Sequence, residues 1–195
     1  DDRKSLLIFS GGETRASMGP ITEGASYFRV SDALNLWDKG LQDVDVSNNV
    51  RARTATEEFA TDSFENLMFS ICRFKEITGS YPQKITVSSF SFKQTRFETL
   101  HAHALKWPVE QFNYVGVDPP PETGFNLARS EQGERENAAK PFETDLYGCN
   151  SPVLQKKRLD RNPFHRTAPY ELSCPEMKDL LHWCGSDLFP GSLPW

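Results

Sequence analysis

The stretch SLLIFSGGETR, residues 5–15, combines an apolar run, a glycine turn and a group of charged residues. Residues 5–9 have strand length and no polar alternation, which is typical of a strand covered on both faces of a parallel sheet. The SGG turn at residues 10–12 ends this run. Because ligands of open α/β sheets bind beyond the carboxyl ends of the strands, we expect Glu13 and Arg15 to face a binding crevice. The turn lacks the spacing of a P-loop and the three glycines of a dinucleotide fingerprint.

The composition is that of an ordinary globular protein with one full core. The chain has 195 residues, of which 37% are hydrophobic and 25% charged. Its net charge of −5 argues against a nucleic-acid or anionic-membrane surface, because such surfaces usually need a clustered basic excess. No apolar stretch approaches the roughly 20 residues that cross a bilayer, and no secretory pattern is visible. We expect a soluble, cytoplasmic protein without nucleic-acid or membrane partners; an organelle stays open, since a removed leader would be invisible.

The four cysteines are widely and irregularly spaced, which does not match the spacing of zinc ligands. They are Cys72, Cys149, Cys174 and Cys184. Free thiols are the default expectation, and a bridge between Cys174 and Cys184 across the last helix is the conceivable alternative. Four cysteines in a chain of this size do not predict a disulfide scaffold, and no metal site is expected.

Strand patterns alternate with helix patterns along the first 121 residues. The sequence predicts helices at 23–37, 56–79 and 93–106, strands at 84–92 and 112–117, and an edge strand or extended connection at 44–53. Such alternation predicts right-handed βαβ crossovers and a three-layer α/β sandwich with a mainly parallel sheet.

The character of the chain changes at residue 122, where prolines, glycines and charges become frequent. The remaining residues, 122–195, keep many large apolar side chains, whereas disordered segments are usually poor in aromatics. We therefore predict an α/β domain at 1–121 and a C-terminal extension at 122–195 that packs on it.

Four motifs resemble, in order and spacing, the SanA and YdcF-like family, domain of unknown function 218. They are SGGETR at 10–15, TEGASY at 22–27, TEEFATDSFENLMFS at 56–70 and ITVSSFSFKQTRF at 85–97. The tail motifs YGC, RNPFHR and SCPE look like the extension of its fungal and plant members. The resemblance implies a Rossmann-like domain with a polar pocket, an association with S-adenosylmethionine binding and no assigned reaction.

The sequence departs from the family pattern in two places. The family has a further strand upstream of residues 5–9, and an uncovered parallel edge is an aggregation liability. Either the chain is truncated, or residues were lost, or another segment or a protein partner supplies this strand. Lys93 stands where bacterial members place a histidine three residues before Arg96. This departure puts imidazole chemistry in doubt but keeps a positive charge.

The motifs bring one set of candidate ligand-binding residues to the strand ends. The set comprises Ser10, Gly11, Gly12, Glu13, Arg15, Glu23, Asn66, Ser89, Lys93 and Arg96. Arg15, Lys93 and Arg96 are the predicted anion clamp, and glycine amides with the helix start at Lys93 add donors. Glu13 and Glu65 are the candidate catalytic residues, either of which can act as a general base.

The leading hypothesis is a domain that binds a small anionic or nucleotide-like metabolite, with S-adenosylmethionine as one possibility. The alternatives are an enzyme that acts on a phosphorylated or otherwise anionic substrate, and a non-catalytic subunit of a larger assembly.

Structural roles compete with these functional ones. Glu65 and Asn66 can simply tie their helix to the strand-end loops, and Arg96 can belong to a surface ion pair with Glu98 or Glu13. In the tail, the RNPFHR motif at 161–166 is either an anchored turn or a lid over the pocket.

Overall fold

The computed structural model describes residues 4–37 and 49–195, which form a mixed α/β structure. The strands of this part are β1 (Leu7–Ser10), β2 (Thr54–Glu57), β3 (Ile85–Ser89) and β4 (Phe112–Gly116). β1 pairs with β2 and β3 pairs with β4, both in parallel, as two separate two-stranded sheets. A search of the described helices finds none with the length and apolar character that a membrane span needs.

The first helix, α1 (Glu23–Ala33), begins where the sequence predicts but ends four residues earlier. Thr22 is its N-cap and accepts a hydrogen bond from the amide of Ala25 at 3.1 Å. A Cβ on Gly24 would lie 2.7 Å from the carbonyl oxygens of Phe9 and Glu57, so a glycine permits the close packing of α1 on β1 and β2. The predicted edge strand at 44–53 lies partly outside the described residues, and Arg51–Arg53 form a 3-10 turn.

The second predicted helix is wrong at its start. Thr54–Glu57 is strand β2, and α2 (Ser63–Thr78) begins seven residues later than the prediction of 56. Asp62 is the N-cap, since its Oδ1 accepts from the amide of Glu65 at 2.9 Å. Gly79 ends the helix with φ of +78°, a left-handed conformation that favours glycine.

The predicted helix at 93–106 is a sequence of short helical pieces. A 3-10 turn at Ser91–Lys93 is followed by a π-helix at Arg96–His101 and by α3 (Ala102–Ala104). β1 is less buried than the prediction of a strand covered on both faces, because Leu7 is 39% exposed. On β3, Thr86 and Ser88 are also exposed.

Residues of the C-terminal part belong to the buried core. Its helices are α4 (Leu127–Glu134), continued by a π-helix at Arg135–Ala139, α5 (Lys140–Thr144), α6 (Pro152–Asp160), α7 (Tyr170–Ser173) and α8 (Lys178–Leu181). Phe142, Leu154 and Tyr170 are at most 1% exposed and belong to the same buried cluster as Phe64 of α2.

The expectation of free thiols is wrong for Cys149 and Cys184 and is confirmed for Cys72 and Cys174. Cys149 forms a disulfide with Cys184, not Cys174 with Cys184, because the folded tail brings these two residues to a Cα separation of 5.5 Å. Cys72 and Cys174 are free and buried. The bridge closes a segment that carries α6, the RNPFHR motif and α7.

Candidate functional site

The carboxyl end of β2 holds a fully buried carboxylate, Glu57, within a complete set of donors. Oε1 accepts from the amide of Phe59 at 2.7 Å and from the Tyr170 hydroxyl at 3.0 Å. Oε2 accepts from the Ser10 hydroxyl at 2.7 Å and from the amide of Ala60 at 3.3 Å. Burial raises the pKa of Glu57, while these hydrogen bonds act in the opposite direction. The arrangement links the strand ends to the tail, and sequence reasoning missed Glu57.

The SGG turn uses its donors internally. The amide of Gly11 donates to the Glu57 carbonyl oxygen at 3.0 Å, and that of Gly12 donates to the Ala60 carbonyl oxygen at 2.8 Å. The expected glycine amides are therefore occupied. The helix start at Lys93 does not supply the expected donors either, because the Ser91 amide donates to Asp118 and the Lys93 amide to the Phe90 carbonyl oxygen.

Glu65 and Asn66 have the structural contacts that the alternative interpretation describes. Oε2 of Glu65 accepts from both the amide and the hydroxyl of Thr61, at 2.8 and 2.6 Å. Oε1 lies 3.3 Å from Nε of Arg158. Burial and the neighbouring Asp62 raise the pKa of Glu65. The side-chain amide of Asn66 lies within hydrogen-bond distance of the Ser10 hydroxyl, with 2.8 Å between Oδ1 and Oγ, which ties α2 to β1.

Glu13 and Glu23 lie beside the glycine turn, as predicted. Oε1 of Glu13 accepts from Nη1 of Arg166 at 3.2 Å, while its buried Oε2 has no hydrogen-bond partner among the described residues. Glu23 accepts from the Thr14 hydroxyl. Within the described part of the chain, no group of three or more His, Cys, Asp or Glu residues is arranged to hold a metal ion.

The predicted anion clamp does not assemble as a unit. Arg15 is exposed, and its charge acts on Tyr27 of α1. Arg96 is buried and its guanidinium pairs with Glu134 of α4, rather than with Glu98 or Glu13. It also lies against the Ser63 hydroxyl and 3.2 Å from Nε2 of His101. Its charge is thereby largely neutralised.

A different group of cations lies near Lys93. Lys157 and Arg161 of the tail share charged neighbours with it: Arg96 and Glu134 act on both lysines, and so does Arg161. Burial and the surrounding cations together lower the pKa of Lys93 and bring that of Lys157 to about 8, while Glu134 acts in the opposite direction on both. We call Lys93, Lys157 and Arg161 the strand-end cations.

Among the described residues, the strand-end cations have no carboxylate in direct contact, although Glu134 acts on both lysines from a longer distance. In residues 4–37 and 49–195, none of the three has a carboxylate oxygen within 4.0 Å. By contrast, Arg158 next to them lies 2.7 Å from Asp62 and 3.3 Å from Glu65. Ser89 ends β3, and its carbonyl oxygen accepts from the Val117 amide at 2.8 Å. Sequence reasoning missed Lys157, although the KKR run at 156–158 marks the helix that carries it, and considered Arg161 only as part of the RNPFHR motif.

The RNPFHR motif forms an anchored turn. The Asn162 side chain accepts from the Arg166 amide at 2.8 Å and donates to the Arg166 carbonyl oxygen at 2.9 Å. His165 between them has φ of +53°, a left-handed conformation that is strained for a histidine. The motif therefore fixes Arg166, which lies over the Phe59 ring at 4.3 Å.

These observations define a mixed α/β protein. One strand end holds a carboxylate whose two oxygens are fully hydrogen-bonded, and another lies near cations that no described carboxylate contacts directly. The chain is 36% identical over 198 residues to an uncharacterized protein of Saccharomyces cerevisiae. The alignment covers 85% of this chain but only 65% of the yeast protein's length. No family model matches the chain, and no solved structure matches it.

Proposed function

We propose that the strand-end cations bind a small anionic metabolite through a phosphate or carboxylate group. The supporting observation is that Arg161 acts on both Lys93 and Lys157, and that no described carboxylate oxygen lies within 4.0 Å of any of the three. Partly buried like charges repel each other and lose hydration, so an anion that accepts hydrogen bonds from them lowers their free energy.

The aromatic rings beside Lys93 favour a nucleotide-like ligand within this class. The rings of Phe90 and Phe92 are parallel to within 9° at 5.2 Å, and Phe125 stacks on Phe90 at 5.3 Å. The Lys93 amino group lies 5.1 Å from the Phe90 centroid. Because Phe125 is 39% exposed, a planar base can stack on the group while its phosphates contact the cations. S-adenosylmethionine, with a carboxylate and an adenine, is one such ligand.

We further propose a Rossmann-like three-layer sandwich of the SanA and YdcF-like family as the fold of this site. The parallel pairing of β1 with β2 and of β3 with β4 supports the proposal. So does the position of the candidate residues at the carboxyl ends of strands.

Isothermal titration tests the anion site with three probes: inorganic pyrophosphate, adenosine 5′-diphosphate and S-adenosylmethionine. We expect Lys157→Gln to weaken binding of adenosine 5′-diphosphate at least tenfold, since a charge-assisted hydrogen bond contributes about 1.5–3 kcal/mol. Lys140→Gln is the matched control, because Lys140 is exposed and the substitution removes the same charge.

Equal affinity of the two variants and the parent protein for every probe would rule out the strand-end cations as the site. Native mass spectrometry of the purified protein provides an independent check, because a retained nucleotide-like or phosphorylated molecule identifies the ligand class directly.

An enzyme that acts on an anionic substrate is a second candidate, favoured by the partnerless buried Oε2 of Glu13. A general base needs an oxygen that is not already engaged, and both oxygens of Glu65 have partners. Glu13 is therefore the better candidate base. Turnover of a phosphorylated substrate that Glu13→Gln abolishes, without loss of binding, is the corresponding test.

A subunit of a larger assembly is the third candidate, with a protein partner that supplies a strand. Its support is that, in the described part of the chain, each strand pairs along one edge only. Parallel sheets of two strands are unusual, because parallel strands are normally covered and extended on both sides. A stable protein that copurifies with the chain and protects the β1 and β3 amides from hydrogen exchange would favour this role.

A further inference from the structure

We infer that a cavity between α2 and the tail binds a small carboxylic acid with an aromatic or branched apolar body. The cavity has a volume of about 310 Å³, at the lower end of the range typical of ligand pockets. The strand-end cations Lys93, Lys157 and Arg161 are not part of its lining. It is therefore a site distinct from the one proposed above.

Part of the cavity lining is apolar. Phe59 and Phe69 come from the β2–α2 region, and Leu159 and Ala168 come from the tail. The two phenyl rings are held in place by Tyr170, which contacts Phe59 at 6.0 Å and Phe69 at 5.0 Å between ring centroids. A fixed aromatic wall of this kind favours a planar or branched apolar group.

Three consecutive tail residues of the lining, His165, Arg166 and Thr167, carry hydrogen-bond donors, and the Arg166 guanidinium lies over the Phe59 ring. Nη1 of Arg166 donates to Glu13 and to the Glu58 carbonyl oxygen, which leaves Nε and Nη2 without acceptors among the described residues. The imidazole of His165 also has no hydrogen-bond partner there. The Asn162 clamp holds His165 in its strained conformation, so the donors are fixed before a ligand arrives.

The one carboxylate in the lining does not oppose an acid. Both oxygens of Glu65 are engaged, by Thr61 on one side and by Arg158 on the other. Arg158 pairs with Asp62 as well as with Glu65, and Arg166 pairs with Glu13, so the charges of the two arginines are matched by carboxylates. A ligand carboxylate facing residues 165–167 accepts hydrogen bonds from the free Nε and Nη2 of Arg166 and from His165, while its apolar body meets the phenyl rings.

Nuclear magnetic resonance titration tests the cavity with 3-phenylpropionate as the probe and 3-phenylpropan-1-ol as its uncharged counterpart. We expect saturable shifts at Phe59, Phe69 and residues 165–168, and at least tenfold weaker binding of the alcohol. His165→Gly removes a donor and suits the positive φ, so we expect roughly fivefold weaker binding of the acid without loss of stability.

Two further variants locate the binding. Leu159→Ala is expected to weaken binding of 3-phenylpropionate. Leu172→Ala is the matched control, since Leu172 is 87% exposed and does not line the cavity. Lys157→Gln is expected to leave binding of 3-phenylpropionate unchanged. The inference is overturned if the alcohol binds as tightly as the acid, if His165→Gly has no effect on affinity, or if Lys157→Gln abolishes the shifts.

Discussion

The carboxyl ends of β2 and β3 solve the same electrostatic problem in opposite ways. At the end of β2, the carboxylate of Glu57 is buried and each of its two oxygens accepts two hydrogen bonds. At the end of β3, Lys93 is joined by Lys157 and Arg161, and no described carboxylate lies within ion-pair distance of them. The difference separates a charge that the fold satisfies with hydrogen bonds from charges that no described carboxylate contacts directly.

The two regions should therefore respond differently to the loss of a charge. Removal of a buried group whose partners are all satisfied leaves several donors without acceptors, which is costly. Removal of one cation from a group of unneutralised cations relieves repulsion and costs little. Stability measurements on single variants test this contrast directly.

The largest effect is expected for Glu57→Ala. The substitution leaves the amides of Phe59 and Ala60 and the hydroxyls of Ser10 and Tyr170 without their acceptor, so we expect a loss of about 3–5 kcal/mol in the free energy of unfolding. Urea unfolding at neutral pH measures it, with Glu110→Ala as a control, because Glu110 is exposed. A loss below about 1 kcal/mol would mean that the network is not structural.

A smaller effect is expected for Tyr170→Phe, which removes one of the four donors to Glu57 and keeps the packing of the ring. We expect a loss of about 1–2 kcal/mol, since the deleted hydrogen bond goes to a charged, buried acceptor. The double variant Glu57→Ala/Tyr170→Phe tests the assignment. If both substitutions remove the same hydrogen bond, the double variant should lose less stability than the sum of the two single losses. Full additivity would contradict the proposed network.

Much of the fold is predictable from local sequence patterns, but β2 is not. The apolar runs before the SGG turn and in ITVSSF predict β1 and β3, and the Thr22 cap predicts the start of α1. TATE at 54–57 has no apolar alternation, and its last residue is a glutamate. Two of the donors that make the burial of Glu57 possible are distant in sequence: Ser10, and Tyr170, which lies 113 positions later. No local pattern contains that information.

The site was predictable only where it lies near the strand ends in sequence. Lys93 and Arg96 follow β3 directly, but Lys157 and Arg161 reach the site through the fold of the tail. Arg15 is adjacent in sequence to the glycine turn, yet it points towards Tyr27 and solvent. The partners of the disulfide, Cys149 and Cys184, are likewise fixed by tertiary packing, because spacing alone does not determine connectivity.

The smallest effect, and the one of opposite sign, is expected for Lys157→Gln. The substitution removes a partly buried cation beside Arg161 and Arg96, so we expect a gain of about 1 kcal/mol at pH 7, limited by solvent screening. The folded-state pKa of about 8 lies below the ordinary value of 10.5, so the unfolded state binds more protons between these values. The stability of the parent protein should rise with pH through this window, and the gain from the substitution should shrink from pH 7 to pH 10.

Urea unfolding of Lys157→Gln and of the Lys140→Gln control across this pH range checks both the sign and the trend. A variant that is more stable but binds adenosine 5′-diphosphate more weakly would show that the cation is retained at the expense of stability, as is common for residues that bind ligands. A loss of stability in Lys157→Gln at pH 7 would mean that Lys157 is neutralised within the fold. The end of β3 would then resemble the end of β2, and the contrast on which the anion site rests would disappear.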